Sequence, residues 1–579
     1  MAETSDRYTV ADVLMQALVD GGVTHCFVNT GTDYPALIEG WAKARARGRR
    51  LPEIVVCPHE VVAVSAAHGM AALTGRPAAV FVHVDVGTQN LGGGLHNAAR
   101  GRVPLFLFAG ASPFTQEGER PGSRDHYIQF LQDVPDQRGI VRQYVKWDYE
   151  LRTGANVAAV VFRALQIAAS PPAGPVYLMA AREVLEEPAA PGRAEPVGWP
   201  PTAPSALAPD GVRTLADAVA GARFPVVVTS YLGRSPAAVE ALVALSERWG
   251  VGVLESRPQY VNFPADHPHH LGYDSEIAGA LADADLVLVV DADVPWIPAG
   301  ERPRPDARVF HVDQDPLKER IPLWYFPAQG VFRADAGVAL AQVRDALADR
   351  AVPSTVAARK AALAERHRRV RAAWAPRGAG VAGALDPAWV LEQIGRWVDP
   401  ETVVVNEAVT QAEAVSRYLP RRVPGTWLAS GGSSLGWGSG AALGAKLARP
   451  DRPVVLVSGD GSYLFGNPAA VHWTARRYGV PYLTVILNNR GWGAVKGAVL
   501  AVHPDGEAAR SGTFWAGFDA PGDWAGVAAL AGGALARTVR RPEELEAAWA
   551  AAWDALRAGR AAVLDVQVTP VEDPGRRPA

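Results

Sequence analysis

Eleven short runs of β-branched and apolar residues recur along the chain, separated by segments of amphipathic helical pattern, and this alternation constrains the fold more than any other feature. The runs fall at 25–28, 54–56, 78–82 and 105–108; at 225–229, 286–290 and 309–312; and at 402–405, 454–457, 482–487 and 562–566. They are continuously apolar. Strands of that kind are buried on both faces, which is the pattern of parallel sheets covered by helices. The predicted fold class is therefore α/β, with three doubly wound parallel-sheet domains in series.

Two stretches interrupt the pattern. Residues 185–210 are dense in proline, and residues 350–387 join a charged helical segment, VAARKAALAERHRRVRAAW, to a Gly/Ala/Pro passage. Read as linkers, they divide the 579 residues into 1–190, 205–350 and 375–579, each of single-domain size. No short-period repeat is present, and the first and third blocks are candidates for similar folds with little shared sequence.

A charged fraction of 20% and a formal net charge of -3 supply no electrostatic attraction for nucleic acid or an anionic membrane surface. The expected partner is a small molecule. No window reaches the roughly 20 uninterrupted apolar residues of a membrane helix, and the N-terminus lacks a basic segment followed by an apolar one, so a cytoplasmic protein is expected. Cys26 and Cys57 are the only cysteines, too few for a disulfide scaffold, and read as buried inert thiols.

The stretch Ser458-Gly-Asp-Gly-Ser-Tyr-Leu-Phe-Gly-Asn467 follows the apolar run 454–457 and sets one carboxylate between two glycines. Asn467 and Pro468 read as N-cap and first residue of a helix that ends near Gly479. A second strand then stops at Asn488-Asn489, 26 residues after Gly461. Strand, helix and strand make a right-handed crossover, so the loop and the Asn pair emerge together at the carboxyl edge, where open α/β sheets bind ligands. A carboxylate, an amide oxygen and backbone N–H groups converging there suit a hard cation that also bridges to phosphate, as Mg²⁺ does.

Gly459-Asp-Gly461, the 26-residue spacing and Asn488-Asn489 resemble the signature of thiamine diphosphate-dependent enzymes. The resemblance implies thiamine diphosphate and Mg²⁺ as cofactors, with the metal held by Asp460, Asn489 and the carbonyl of Gly491, and with Gly459, Gly461 and Ser462 beside the diphosphate. Cys57-Pro-His-Glu60 and the helix after it resemble the family's activating glutamate, which implies a catalytic role for Glu60. In 426–444 small residues surround Leu435, similar to the apolar wedge that bends the cofactor. Val404-Val-Asn-Glu-Ala-Val-Thr410 resembles the loop that meets the diphosphate, with Thr410 as the contact. Paired domains of this family come from different subunits, which implies a homodimer or homotetramer with sites at the interface.

Two branches of the family compete. Departures at 82–90, 290–295 and 496–498 separate the chain from acetolactate synthase-like carboligases, which form 2-hydroxy ketones, and argue against FAD. His83, His267 and Thr32 resemble pocket residues of benzoylformate decarboxylase-like enzymes, which act on 2-oxo acids. Trp492 adds bulk beside the diphosphate, and the charged segment 118–138 reads as subunit surface. The expected function is a 2-oxo acid decarboxylase or carbon-carbon lyase; carboligation is the near alternative, and a non-catalytic cofactor-binding subunit the remote one. A dehydrogenase is disfavoured, because no Gly-x-Gly-x-x-Gly follows a strand and opens a helix.

Overall fold

The computed structural model describes residues 7–190 and 198–571, apart from 377, 420, 519 and 521. The first sheet contains β1 (His25–Val28), β2 (Glu53–Val56), β3 (Ala78–Val82), β4 (Leu105–Ala111), β5 (Asp148–Leu151) and β6 (Val176–Ala181), in the order β2-β1-β3-β4-β6-β5. The second contains β7 (Pro225–Thr229), β8 (Gly252–Glu255), β9 (Leu286–Val290), β10 (Arg308–Asp313) and β11 (Gly330–Arg333), in the order β11-β10-β9-β7-β8. A small antiparallel ribbon, β12 (Gly380–Val381) and β13 (Ala384–Leu385), precedes the third sheet. That sheet contains β14 (Val403–Glu407), β15 (Trp427–Leu428), β16 (Val454–Gly459), β17 (Leu483–Asn488), β18 (Leu535–Val539) and β19 (Ala562–Gln567), in the order β15-β14-β16-β17-β19-β18.

Every pairing in the three large sheets is parallel. Ranked by position within its own sheet, the strand order of the first and third sheets is the same, 2-1-3-4-6-5. The similarity suspected between those blocks is thus a shared topology. Strands β3, β4, β7, β9, β14 and β19 are buried along their whole length, as their continuous apolar character requires.

Strands β5, β6, β8, β11, β15 and β18 were not anticipated from the apolar runs. All but β6 lie at sheet edges, where one flank is unpaired and the demand for an unbroken apolar run is weaker; β11, for example, alternates half-buried with exposed residues. The charged segment is helical, Thr355–Ala373, as its composition predicts. No helix among the described residues is long and apolar enough to cross a membrane.

The outer domains meet through two helices, Glu60–Thr74 and Trp437–Ala448. Glycine is needed at the crossing: a β-carbon on Gly69 would collide with Ala441, and one on Gly444 with the carbonyl oxygen of Ala66. The backbones therefore touch, and one hydrophobic core continues through both domains. Cys26 and Cys57 are buried free thiols, pushed well above the ordinary thiol range by burial.

Candidate active site

The chain closes into a helix directly after β16. Asp460 begins a short helix, Asp460–Phe465, with Gly459 as N-cap. A β-carbon on Gly459 would meet nothing, whereas one on Gly461 would lie 2.6 Å from Trp492 Nε1. Gly461 thus makes room for an indole, and Trp492 packs edge-on against Phe518 at 4.9 Å. Downstream, Asn467 caps the helix Pro468–Arg477 through Ala470 N–H, as predicted.

The Asn pair divides its work. Asn488 is structural, donating to Asp565 Oδ1 at 2.8 Å and accepting from Arg490 N–H at 3.1 Å. Asn489 turns to the loop, and its carboxamide lies 3.0 Å from Asp460 Oδ1 and 2.7 Å from the Gly491 carbonyl oxygen, placed for its NH₂ to donate to both. Three acceptors facing one another repel unless the amide rotates to donate, or a cation sits between them. The two separations are those of N–H···O bonds from the rotated amide; turned the other way, the amide oxygen would join Asp460 Oδ1 and the Gly491 carbonyl as a donor set suited to Mg²⁺. The other oxygen, Asp460 Oδ2, accepts from Gly491 N–H at 2.9 Å. Burial pushes the Asp460 carboxyl up to about 6, against the pull of the Gly461 and Gly491 N–H groups; a bound cation would favour the ionised form. Thr410 is adjacent, because a β-carbon on Gly493 would lie 3.1 Å from Thr410 Cγ2 and 3.2 Å from Asn489 Nδ2. Ser462 is buried in the helix's first turn.

Glu60 opens its helix behind His59, whose Nδ1 accepts from Val61 N–H at 3.1 Å. Its carboxylate is buried and accepts from Asn90 Nδ2 at 3.1 Å, while Gly87 leaves space beside Oε1. Asn90 and Gly87 belong to the helix Val84–Asn90, for which His83 is the N-cap, so Glu60 and His83 are tied to one element. His83 Nδ1 lies 2.6 Å from Asp33 Oδ1, and Nε2 lies 3.2 Å from Gln132 Oε1. Thr32 is exposed next to Asp33.

Leu435 precedes Gly436, which has φ +84° and closely approaches Gly466. It lines a cavity of about 240 Å³ with Asn406, Glu407 and Val409. Glu407 ends β14 and accepts from Trp437 N–H at 2.8 Å and Gly438 N–H at 2.9 Å, capping the helix that follows the wedge. Burial pushes its carboxyl up to about 8 despite those two bonds.

Two expectations are corrected. His267 is not brought to this site: its ring packs on Phe263 and His269, and its Nε2 faces Glu247 at 3.6 Å, all within the central domain. Nor is 118–138 simply subunit surface, because Gln132 is buried against His83 and Gln137 donates to the Gly110 carbonyl. Asp33, Asn90, Gln132 and Glu407 were not singled out as site residues in the sequence, although Asn90 and Glu407 lie within the stretches 82–90 and 404–410 and Asp33 follows Thr32.

Family models for thiamine pyrophosphate enzymes match three segments: the N-terminal TPP binding domain at 8–140, the central domain at 212–342 and the C-terminal TPP binding domain at 408–566. The chain is 29% identical over 536 residues to benzoylformate decarboxylase of Pseudomonas aeruginosa, covering 89% of this chain and 91% of the relative. It is 28% identical to the acetolactate synthase large subunit of Parasynechococcus marenigrum, over 84% of this chain and 77% of the relative. Its fold matches that of a thiamine diphosphate-dependent 4-hydroxybenzoylformate decarboxylase from Rhodococcus jostii RHA1, with a TM-score of 0.79, 24% identity and coverage of 97% and 99% of the two chains. The glutamate-led helix, the oxygen cluster at Asp460 and the three matched domains together make this chain a member of the thiamine pyrophosphate enzyme family, a thiamine pyrophosphate-dependent decarboxylase or carboligase.

Proposed function

We propose that the chain is a Mg²⁺-dependent, benzoylformate decarboxylase-like 2-oxo acid decarboxylase. The observation that carries the metal and cofactor reading is the convergence of Asp460 Oδ1, the Asn489 carboxamide and the Gly491 carbonyl oxygen after strands of the third sheet. Those groups would hold the ion, and Thr410 would meet the diphosphate. Bound thiamine diphosphate supplies the carbon nucleophile and the electron sink that let CO₂ leave a 2-oxo acid. Glu60 would hold a proton toward the pyrimidine ring, oriented by Asn90; Leu435 would prop the cofactor; and His83 would hold a proton near the reacting carbon.

The active form is proposed to be a homo-oligomer with sites between subunits. The reading rests on the family resemblance, in which paired domains come from different subunits; here Glu60 lies in the first domain and the Asp460 cluster in the third. Flavin has no part in the reading. Beyond β7, β9 and β10, where such a sheet would take a nucleotide, Arg102 from the first domain forms ion pairs with Asp291, Asp293 and Asp313, and Lys318 and Arg234 complete the cluster.

A panel of 2-oxo acids supplied with thiamine diphosphate and Mg²⁺ tests the function, with CO₂ and products read together. Release of CO₂ with an aldehyde product supports it. A 2-hydroxy ketone as the main product moves the chain to the carboligase branch, and no CO₂ from any 2-oxo acid overturns the reading.

A further inference from the structure

The carboxyl edge of the first sheet holds a pair with a function beyond those assigned above. Both oxygens of Asp33 are committed to one short stretch: Oδ1 to His83 Nδ1 at 2.6 Å, and Oδ2 to Val84 N–H at 3.2 Å. The Asp33 side chain is 2% exposed and that of His83 19%, so the carboxylate is sealed while the ring keeps some access to solvent. Two glycines make the space: a β-carbon on Gly31 would collide with His83 Nδ1 and lie 2.7 Å from Asp33 Oδ1, and one on Gly110 would lie 2.5 Å from Asp33 Cβ.

The backbone at the pair is strained. Val84 has φ +30°, a conformation that a β-branched residue rarely adopts and that persists where surroundings over-determine it, commonly at functional sites. The Asp33 bond to its N–H is one such restraint.

The bonding pattern also sets the charge of the ring. A carboxylate can only accept, so Nδ1 of His83 carries hydrogen; with the side-chain oxygen of Gln132 turned to the ring, Nε2 carries one as well. Other groups around it do not oppose this. Asp85 on the helix Val84–Asn90 is buried, with Oδ1 unpartnered among the described residues, and its charge favours the imidazolium. Tyr34 and Tyr177 are kept neutral by burial, and Glu60 lies beside Gly87 on the same helix. Burial alone would lower the His83 pKa, but the Asp33 bond and charge, with Gln132 and Asp85, leave it raised.

We propose that Asp33 is a positioning residue that holds His83 as an imidazolium, so that Nε2 delivers a proton to the substrate carbon that has lost CO₂ and the site favours aldehyde release over carboligation. The inference rests on the thiamine diphosphate reading. The N–H electrons return to the ring, the carbon gains the proton, and the neutral imidazole is reprotonated from solvent before the next turnover.

Asp33→Asn keeps the shape and removes the charge. Without cofactor, carbethoxylation of His83 by diethyl pyrocarbonate, followed by peptide mass spectrometry across pH, reports the ring's protonation. The wild-type midpoint should lie above the ordinary histidine value of about 6.5, and the variant's about one pH unit lower or more. With cofactors, the alkaline limb of kcat should shift down by the same amount, with KM nearly unchanged and a larger share of 2-hydroxy ketone. A wild-type midpoint at or below about 6.5 overturns the charged pair, even if the variant fails to fold. A midpoint that shifts while the alkaline limb stays fixed overturns proton delivery. A shifted midpoint in a chain that releases no CO₂ from any 2-oxo acid supports the pair and overturns the functional reading beneath it.

Discussion

The Asn489 carboxamide faces Asp460 Oδ1 at 3.0 Å and the Gly491 carbonyl oxygen at 2.7 Å, and its NH₂ donates to both when turned toward them. A cation held there by Asp460 and the Gly491 carbonyl would turn the amide oxygen inward instead, so cofactor binding should require Mg²⁺. Trp492, 42% exposed beside Gly461, provides the signal: thiamine diphosphate with Mg²⁺ should change its fluorescence, and thiamine diphosphate with chelator should not. Asp460→Ala should abolish the change. An undiminished response in that variant would refute the metal role.

The 2.6 Å left between a β-carbon on Gly461 and the Trp492 indole predicts the cost of filling it. Gly461→Ala should displace Trp492 and weaken cofactor binding at least tenfold in a fluorescence titration, while overpacking destabilises the fold by about 1–3 kcal/mol. Trp492→Ala in the same chain should restore much of the stability, which a thermal melt will show.

Glu60 and Asp460 lie in different domains, and a site shared between subunits predicts complementation. Glu60→Gln should bind cofactor and fail to exchange the thiazolium proton; Asp460→Ala should bind none. A mixed dimer of the two has one interface with both residues intact, so mixing inactive preparations should restore activity, up to one competent site in each mixed dimer. If each chain built its own site, no activity would return.

Burial pushes the Glu407 carboxyl up to about 8 in the folded protein, against about 4.3 for an unperturbed glutamate. The folded state then holds a proton that the unfolded chain has lost, so this group's contribution is fully present below about pH 4 and is lost as pH rises through about 8. Stability should fall by at most about 1.4 kcal/mol per pH unit across that window. Glu407→Gln should flatten that fall in urea titrations, at the expense of one N–H bond to Trp437 or Gly438. A variant with the wild-type slope would reject the assignment.

At the helix crossing, a β-carbon on Gly444 would collide with the Ala66 carbonyl oxygen. Gly444→Ala should therefore destabilise the chain by roughly 3 kcal/mol, far more than the same change at Gly497, where nothing stands in the way. Chemical denaturation of the two variants separates them.

The sequence by itself determined the parallel α/β sheets, because burial on both faces writes unbroken apolar strands into local windows. It also determined that the Gly-Asp-Gly loop and the Asn pair meet, because Asp460 and Asn489 follow adjacent strands of a single crossover. The helix start at Glu60 was legible for the same local reason. Tertiary structure alone decided the rest. Asp33, His83 and Gln132 are 50 and 49 residues apart, and they meet only because separate loops leave the same sheet edge. The sequence set Gly461 beside the diphosphate, and only the fold packs Trp492 against it. His267 sat in a family-like segment, yet its ring packs inside the central domain. Side-chain convergence between loops depends on strand order and register far from each loop, and no window of local pattern carries that information.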